Sequence, residues 1–117
     1  MSIEEFKKKV AAGDAVEFND VISLIAENYR YIPQTFFNGI GNDRVTNAAG
    51  TNEGSCKIFA FAKLNGFTEE QTLSCFGTYY RDDVLKFPKG TDHENIRSFM
   101  KHGWSGIEFQ GVALLPK

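Results

Sequence analysis

The apolar residues at the start of the chain recur at helical intervals. Ser2 and Glu5 have the spacing of a capping box, which predicts a helix that begins after Ser2 and ends at Gly13. Its predicted buried face consists of Ile3, Phe6 and Val10. Asp14 and Glu17 repeat the capping spacing before a second, strongly amphipathic helix. The apolar face of that helix consists of Phe18, Val21, Ile22, Ile25 and Tyr29.

Three further helical segments follow in the second half of the sequence. Residues 55–64 are apolar nearly all round, and their alanines together with Asn65-Gly66 favour a buried helix over a buried strand. Thr68 and Gln71 form another capping box, opening a helix that Gly77 bends or breaks before residues 79–86.

Thr91 and Glu94 have the spacing of a further capping box, and the helix they predict runs up to Gly103. If Gly103 is the left-handed residue that ends this helix, Trp104 should pack back on Phe99, as in a Schellman motif. This is a local expectation that a structure tests directly.

Two segments favour β-structure. Residues 31–37 are aromatic and β-rich, but Pro33 lacks an N–H and confines any strand to an edge or a strand start. Residues 107–114 alternate and then slip at Gly111, which is typical of a strand with a bulge or tight turn. The sequence therefore predicts an α+β fold, mostly helical with about five helices. Its small antiparallel sheet joins the segment near Phe36 to the C-terminal segment 106–114.

The stretch from Asn38 to Gly54 is rich in glycine and asparagine and has almost no large apolar residue after Ile40. We interpret it as a long ordered loop, and such loops in compact domains are often functional. Asn38 and Asn52, near its ends, are therefore candidate residues for binding a ligand or partner.

Composition and charge limit the class of protein. The 117 residues suit one domain spanning 1–117, and with 42% apolar residues and three prolines the composition is that of a soluble globular protein. Thirteen basic and fifteen acidic side chains give a net charge of −2, which predicts binding to neither duplex nucleic acid nor an anionic membrane. No apolar run reaches the roughly 18 residues of a membrane span or forms a signal-peptide core. Two cysteines in a chain of this size favour a reducing compartment, so we expect a cytoplasmic location.

A thiol nucleophile is one candidate chemistry. Cys56 lies at the predicted start of a helix, where the helix dipole is expected to lower its pKa. His93, with Asn95 nearby, is a candidate base and orienting residue, although no spacing motif of known thiol enzymes is present. The alternative is a buried, inert thiol.

Cys56 also lies at the same sequence distance from the Asn65-Gly66 turn as Cys75 does, so the two thiols could face each other as a reversible disulfide or pack separately. The cysteine and histidine spacings match no zinc motif, and we expect neither metal nor cofactor. The glycine-rich stretch 50–57 either cradles an anion or simply permits a turn. A polar-aromatic cluster, Tyr79, Tyr80 and Arg81, either lines a pocket or forms an ordinary helix face.

Several ungapped blocks give the sequence a family resemblance that covers most of the chain from about Val16 onward. The blocks are residues 54–62 (GSCKIFAFA), Cys75-Phe76-Gly77, Tyr79-Tyr80-Arg81, Gly90-Thr91-Asp92-His93 and Gly103-Trp104. In these blocks the chain resembles the HopJ family of type III effector proteins. The resemblance implies delivery through a type III secretion system into a plant host cell, and it carries over no catalytic residue.

Two functional hypotheses follow. The first is an effector-like protein that binds a host or cellular protein, or a small ligand, through the 38–54 loop and its neighbouring aromatic residues. The second is a small enzyme that uses Cys56 with His93. The sequence favours the first, because the second lacks a spacing motif, and it leaves the oligomeric state open.

Overall fold

Five α-helices and two small antiparallel sheets form the fold of the computed structural model, which describes residues 1–117. The helices are α1 (Ile3–Ala11), α2 (Phe18–Asn28), α3 (Glu53–Leu64), α4 (Glu69–Ser74) and α5 (Glu94–His102). A π-helical segment, Tyr79–Val84, lies between α4 and α5, and a 3₁₀ segment, Gly103–Gly106, follows α5. The predicted α+β class, mostly helical with a small antiparallel component, is confirmed.

The five strands are short. They are β1 (Tyr29–Tyr31), β2 (Phe36–Asn38), β3 (Val45–Asn47), β4 (Glu108–Phe109) and β5 (Leu114–Pro116). Two pairs of them, β1 with β5 and β2 with β4, join residues 29–38 to the C-terminal segment. The predicted pairing of the Phe36 segment with the C-terminal segment is confirmed, with Phe36 opposite Phe109. There are two sheets where we expected one: β1 pairs with β5, and β2 lies between β3 and β4. Pro33 stands in the break between β1 and β2, where no ladder N–H is required.

The core is built around α3, which is buried nearly all round as the sequence indicates. The ring of Phe59 lies 5.0 Å from that of Phe99, 5.4 Å from Phe76 and 6.0 Å from Phe36, between centroids. One side chain at the centre of α3 therefore contacts α5, the chain after α4 and β2. This packing fixes where α3 and α5 begin relative to each other.

Several local predictions at helix ends are confirmed. The Ser2 side chain accepts a hydrogen bond from the Glu5 N–H, and Thr68 forms a full capping box with Gln71. The Phe99 and Trp104 rings meet edge to face with centroids 5.1 Å apart, as predicted, although Gly103, with φ 63° and ψ −153°, lies outside the left-handed helical region that a Schellman motif requires.

The break after α4 occurs at Gly77, which has φ +61°. A Cβ on Gly77 would lie 2.8 Å from the backbone nitrogen of Phe18. Only glycine therefore allows this turn to pack against the start of α2.

Three predictions about local structure are wrong. Glu17, with no capping side chain, precedes α2 in place of Asp14. His93 takes the position before α5, so Thr91 and Glu94 form no capping box. The stretch 38–54 is not one long loop, because it contains β3, which pairs with β2, and a 3₁₀ turn over residues 41–43.

No helix in the fold is both long and apolar enough to cross a membrane.

Candidate functional site

A cleft of about 370 Å³ lies where α3 and α5 begin, and we call it the α3–α5 cleft. Its ten lining residues are Phe18, Asn52, Gly54, Ser55, Phe76, Tyr79, His93, Glu94, Asn95 and Ile96. The side chains of Phe76 and Ile96 are buried and form an apolar floor, whereas Asn52, Tyr79 and Glu94 are exposed at the rim. Four of the residues singled out from the sequence, namely Asn52, Tyr79, His93 and Asn95, therefore meet in one concave site.

Both helices begin at a non-glycine residue with left-handed backbone geometry. Asn52 has φ 48° before α3, and His93 has φ 50° before α5. Asparagine and histidine tolerate this conformation better than most residues do. Neither side chain caps its helix, so the first-turn N–H groups of both helices have no side-chain partner from these positions. These groups lie at the cleft, because Gly54, Ser55 and Glu94 belong to its lining.

A cluster of asparagines ties the two helix starts together. Asn95 Nδ2 donates to Asn47 Oδ1 at 2.8 Å, and Asn47 Nδ2 donates back to Asn95 Oδ1 at 3.1 Å. Asn52 Nδ2 donates to the same Asn47 oxygen at 2.8 Å. Asn38 is fully buried beneath the cluster and donates to both oxygens of Asn95, the backbone one at 2.8 Å and the side-chain one at 3.1 Å. Asn47 thus connects the start of α3 to the start of α5.

A hydrogen-bonded pair, His93 and Asp83, lies at the other rim. The distance from His93 Nε2 to Asp83 Oδ2 is 3.0 Å. The His93 ring also lies against Tyr79, with 5.1 Å between centroids. A carboxylate that holds one ring nitrogen fixes the orientation of the imidazole.

Arg97 holds the loop that leads to His93. Its guanidinium donates to the Asp92 carbonyl at 2.6 Å, the Phe87 carbonyl at 2.9 Å and the Asp92 carboxylate at 2.7 Å. The pKa of Asp92 is lowered because its carboxylate accepts this charged hydrogen bond. A Cβ on Gly90 would lie 2.6 Å from Arg97 Nη2, so a glycine at this point leaves room for the guanidinium.

Aromatic rings form one wall of the cleft. The Phe18 ring stacks on Phe76, with centroids 6.5 Å apart, and meets Tyr79 edge to face at 5.0 Å. Gly54 makes this arrangement possible, because a Cβ there would lie 2.7 Å from Cζ of Phe18. Tyr79 keeps 41% of its surface exposed, so the wall is accessible from solvent.

Three binding candidates from the sequence do not line the cleft. Asn38 is fully buried and acts through Asn95. Arg81 donates to the Val16 carbonyl at 2.9 Å and pairs with Glu17 at 3.1 Å, so it holds the start of α2. Tyr80 packs against the core, and burial raises its pKa. Of the polar-aromatic cluster, only Tyr79 reaches the site.

The burial and the pKa of the Cys56 thiol differ from what the sequence predicts. The side chain is 1% exposed, and its Sγ lies 3.9 Å from the Gln34 carbonyl oxygen. Burial raises the pKa of Cys56, so the expectation that the helix start lowers it is wrong. His93 pairs with Asp83, and Cys56 is not among the residues that line the cleft with it.

The second thiol is buried as well. Cys75 is free, its Sγ lies 3.4 Å from the Gln71 carbonyl oxygen, and burial raises its pKa to about 12. Cys56 and Cys75 are both unbonded to another cysteine, and each sulfur has its own carbonyl partner. The structure therefore has separately packed thiols, which was the alternative to a disulfide.

Residues 3–114 match the family described as HopJ type III effector protein. The chain belongs to the HopJ family. This HopJ chain is also similar to the solved crystal structure of the unknown-function protein VPA0580. The two share 45% sequence identity with a TM-score of 0.94, over 100% of this chain and 95% of the other. No protein with a curated description matches the sequence. HopJ membership indicates an effector-like protein, as the sequence resemblance implies.

Sequence reasoning missed two residues that organise the site in this HopJ chain. Asn47 was one of several asparagines in a presumed loop, and nothing in its local sequence distinguishes a buried carboxamide from an exposed one. Arg97 lies on α5, and the helical pattern of that segment draws attention to its apolar residues and not to its polar ones. The local signal that existed was Gly90, because a glycine next to a turn leaves space for a neighbouring side chain.

Proposed function

We propose that this HopJ chain is an effector-like protein that acts by binding a host or cellular partner at the α3–α5 cleft. The observation that carries the proposal is the convergence of Asn52, Tyr79, His93 and Asn95 over an apolar floor. Ligand sites are typically concave, carry polar groups that fix orientation, and occupy about 300–1,000 Å³. A cleft of about 370 Å³ suits one anchoring group of a partner better than an extended segment.

Preorganisation supports the same proposal. The rim residues Asn52 and His93 are held from behind, the first by Asn47 and the second by Asp83. Side chains fixed in this way lose little entropy when a partner binds. The uncapped N–H groups of both helix starts supply hydrogen-bond donors for a partner's acceptor atoms.

The thiol-enzyme hypothesis has less support. A nucleophilic cysteine needs an accessible thiolate next to a base. Cys56 is 1% exposed with a raised pKa, and the hydrogen-bonding partner of its sulfur is a backbone carbonyl. A binding role uses His93 and Asn95 without requiring the thiol.

Site-specific photo-crosslinking tests the binding proposal. A benzophenone amino acid replaces Tyr79, at the cleft, or Leu85, which is similarly exposed outside it. In host-cell extract we expect a discrete adduct from position 79 that excess unlabelled wild-type chain abolishes and a Tyr79→Ala, His93→Ala competitor does not. Equal adducts from positions 79 and 85, or adducts that the cleft variant competes away equally well, would contradict the proposal.

Export is the second part of the proposed function. Type III delivery is what HopJ membership suggests, and it needs no transmembrane segment in the delivered chain. A reporter-tagged chain in a bacterium with a type III system should reach the medium or host cell only while the secretion ATPase is intact. Retention in both strains would limit the proposal to a partner inside the bacterium.

A further inference from the structure

Four of the ten residues that line the α3–α5 cleft carry aromatic rings. Phe76, Phe18, Tyr79 and His93 follow one another, with neighbouring centroids 6.5, 5.0 and 5.1 Å apart. All four rings belong to the lining of the same cleft. A partner's anchoring group therefore meets ring faces and edges on this side.

The exposed fractions of the four rings show which of them a partner can reach. Phe76 is 2% exposed and supports the others, whereas Tyr79 keeps 41% of its surface exposed. Phe18 is half-buried and so is His93. A planar group that enters the cleft can therefore reach Tyr79 most easily, and Phe18 and His93 in part.

We propose that the partner presents a planar aromatic ring to this wall as its anchor. Aromatic rings attract one another through the negative face and positive edge of each ring, and a saturated ring of the same size lacks this term. The cleft's volume of about 370 Å³ admits one such ring with its attached backbone or ring substituent.

A cationic occupant is the main alternative for an aromatic wall. Cations are favoured over ring faces but disfavoured at the starts of helices, where the backbone dipoles present positive charge. Two helices start in this cleft, at Glu53 and Glu94, although the exposed Glu94 carboxylate is the one acidic group in the lining and itself favours a cation. An uncharged ring can pack against the aromatic wall while its acceptor atoms face the first-turn N–H groups of α3 and α5.

This inference rests on the proposed function and refines it by naming the anchor. The test uses two matched pairs of probes and amide chemical shifts of Ser55 and Glu94. One pair is phenol and cyclohexanol. The other is a capped tripeptide with a central phenylalanine between two alanines and the same peptide with cyclohexylalanine. Simple hydrophobicity favours cyclohexylalanine over phenylalanine, because the saturated ring is the more apolar, whereas it separates phenol from cyclohexanol very little.

We expect the aromatic member to bind about threefold to tenfold more tightly than the saturated one in at least one pair. If only the peptide pair shows the aromatic preference, the anchor is a protein side chain. If only the phenol pair shows it, the anchor is a free ring compound. Tyr79→Leu should remove the preference, whereas Phe87→Leu, at an exposed aromatic residue outside the cleft, should retain it.

Equal or tighter binding of both saturated probes would overturn the inference. Crosslinking at position 79 does not require that the anchor be aromatic. If the wild-type chain competes the adduct away but neither probe pair shows an aromatic preference, only the aromatic anchor is refuted. Absence of the adduct refutes the binding proposal itself.

Discussion

Asn47 and Asn95 form a reciprocal carboxamide pair, with hydrogen bonds of 2.8 and 3.1 Å, beneath the cleft between α3 and α5. Both residues are buried, at 1% and 7% exposure. Since the Asn47 oxygen also accepts from Asn52, this pair links the start of α3 to the start of α5. Buried polar clusters specify one arrangement when their members are satisfied; the Asn47–Asn95 pair meets this condition, whereas the Oδ1 atom of Asn38 beneath it has no partner.

Replacement of Asn47 by alanine tests this linkage. The change removes both hydrogen bonds to Asn95 and leaves a buried carboxamide without those partners, so we expect the free energy of unfolding to fall by roughly 3 kcal/mol. Urea denaturation measures the loss. Asn42→Ala, at an exposed residue, is the matched control and should change stability by less than about 0.5 kcal/mol. A similar small effect at Asn47 would show that the pair does not hold the two helix starts together.

Gly54 and Phe18 should show energetic coupling. In the wild-type background, Gly54→Ala places a Cβ 2.7 Å from Phe18 Cζ, and we expect a loss of about 1–2 kcal/mol. In a Phe18→Leu background the clash is gone, and the same change should stabilise α3 by about 0.5–1 kcal/mol because alanine favours helix. Denaturation of all four members of the cycle measures the coupling. Additive effects would mean that the ring does not rest on the helix start.

Arg97→Lys should loosen the loop that positions His93. Lysine keeps the charge but cannot reach the Phe87 carbonyl, the Asp92 carbonyl and the Asp92 carboxylate at once, so we expect about 2 kcal/mol of destabilisation. Hydrogen exchange should quicken at the Gly90 amide, which bonds to the Phe87 carbonyl. Arg30→Lys, on an exposed side chain of β1, serves as the control. Unchanged exchange at Gly90 in Arg97→Lys would argue against this positioning role.

Burial of Cys75 predicts a specific alkaline loss of stability. Its folded-state pKa, about 12, lies above its ordinary value of 9.0. The protonated thiol therefore stabilises the fold fully below about pH 9, and this contribution is lost as pH rises toward about 12. Between about pH 8 and 11 the wild type should lose on the order of 2 kcal/mol more than Cys75→Ala does.

Urea denaturation at the two pH values measures this difference. Ser74→Ala, which retains the thiol, should lose stability with pH as steeply as the wild type does. Parallel losses in the wild type and in Cys75→Ala would show that the thiol titrates near its ordinary pKa in the folded state.

Local patterns in the sequence were sufficient where the determinant was local. The capping residues Ser2 and Thr68, the apolar stripe of α3 and the Phe99–Trp104 contact all depend on neighbours along the chain, and all are confirmed. Tyr79 and His93 were recognised as chemically notable, but their meeting in one cleft depends on how α3 and α5 pack.

The errors have a common physical cause. The sequence predicts that the helix controls the pKa of the Cys56 thiol, whereas burial of the side chain raises that pKa. The lack of large apolar residues in the stretch 38–54 predicts a loop, yet Asn47 is held by hydrogen bonds to a residue 48 positions away. Tertiary contacts override local propensity at both sites.

Affinity measurements with the partner identified by crosslinking at position 79 test the central claim most directly. Tyr79→Ala and His93→Ala should each raise the Kd about tenfold or more, because both side chains line the cleft. Leu85→Ala, at a similarly exposed apolar residue outside it, should leave the Kd within about twofold. Wild-type affinity in both cleft variants, with weakened binding in Leu85→Ala, would contradict the account and place the partner on another face.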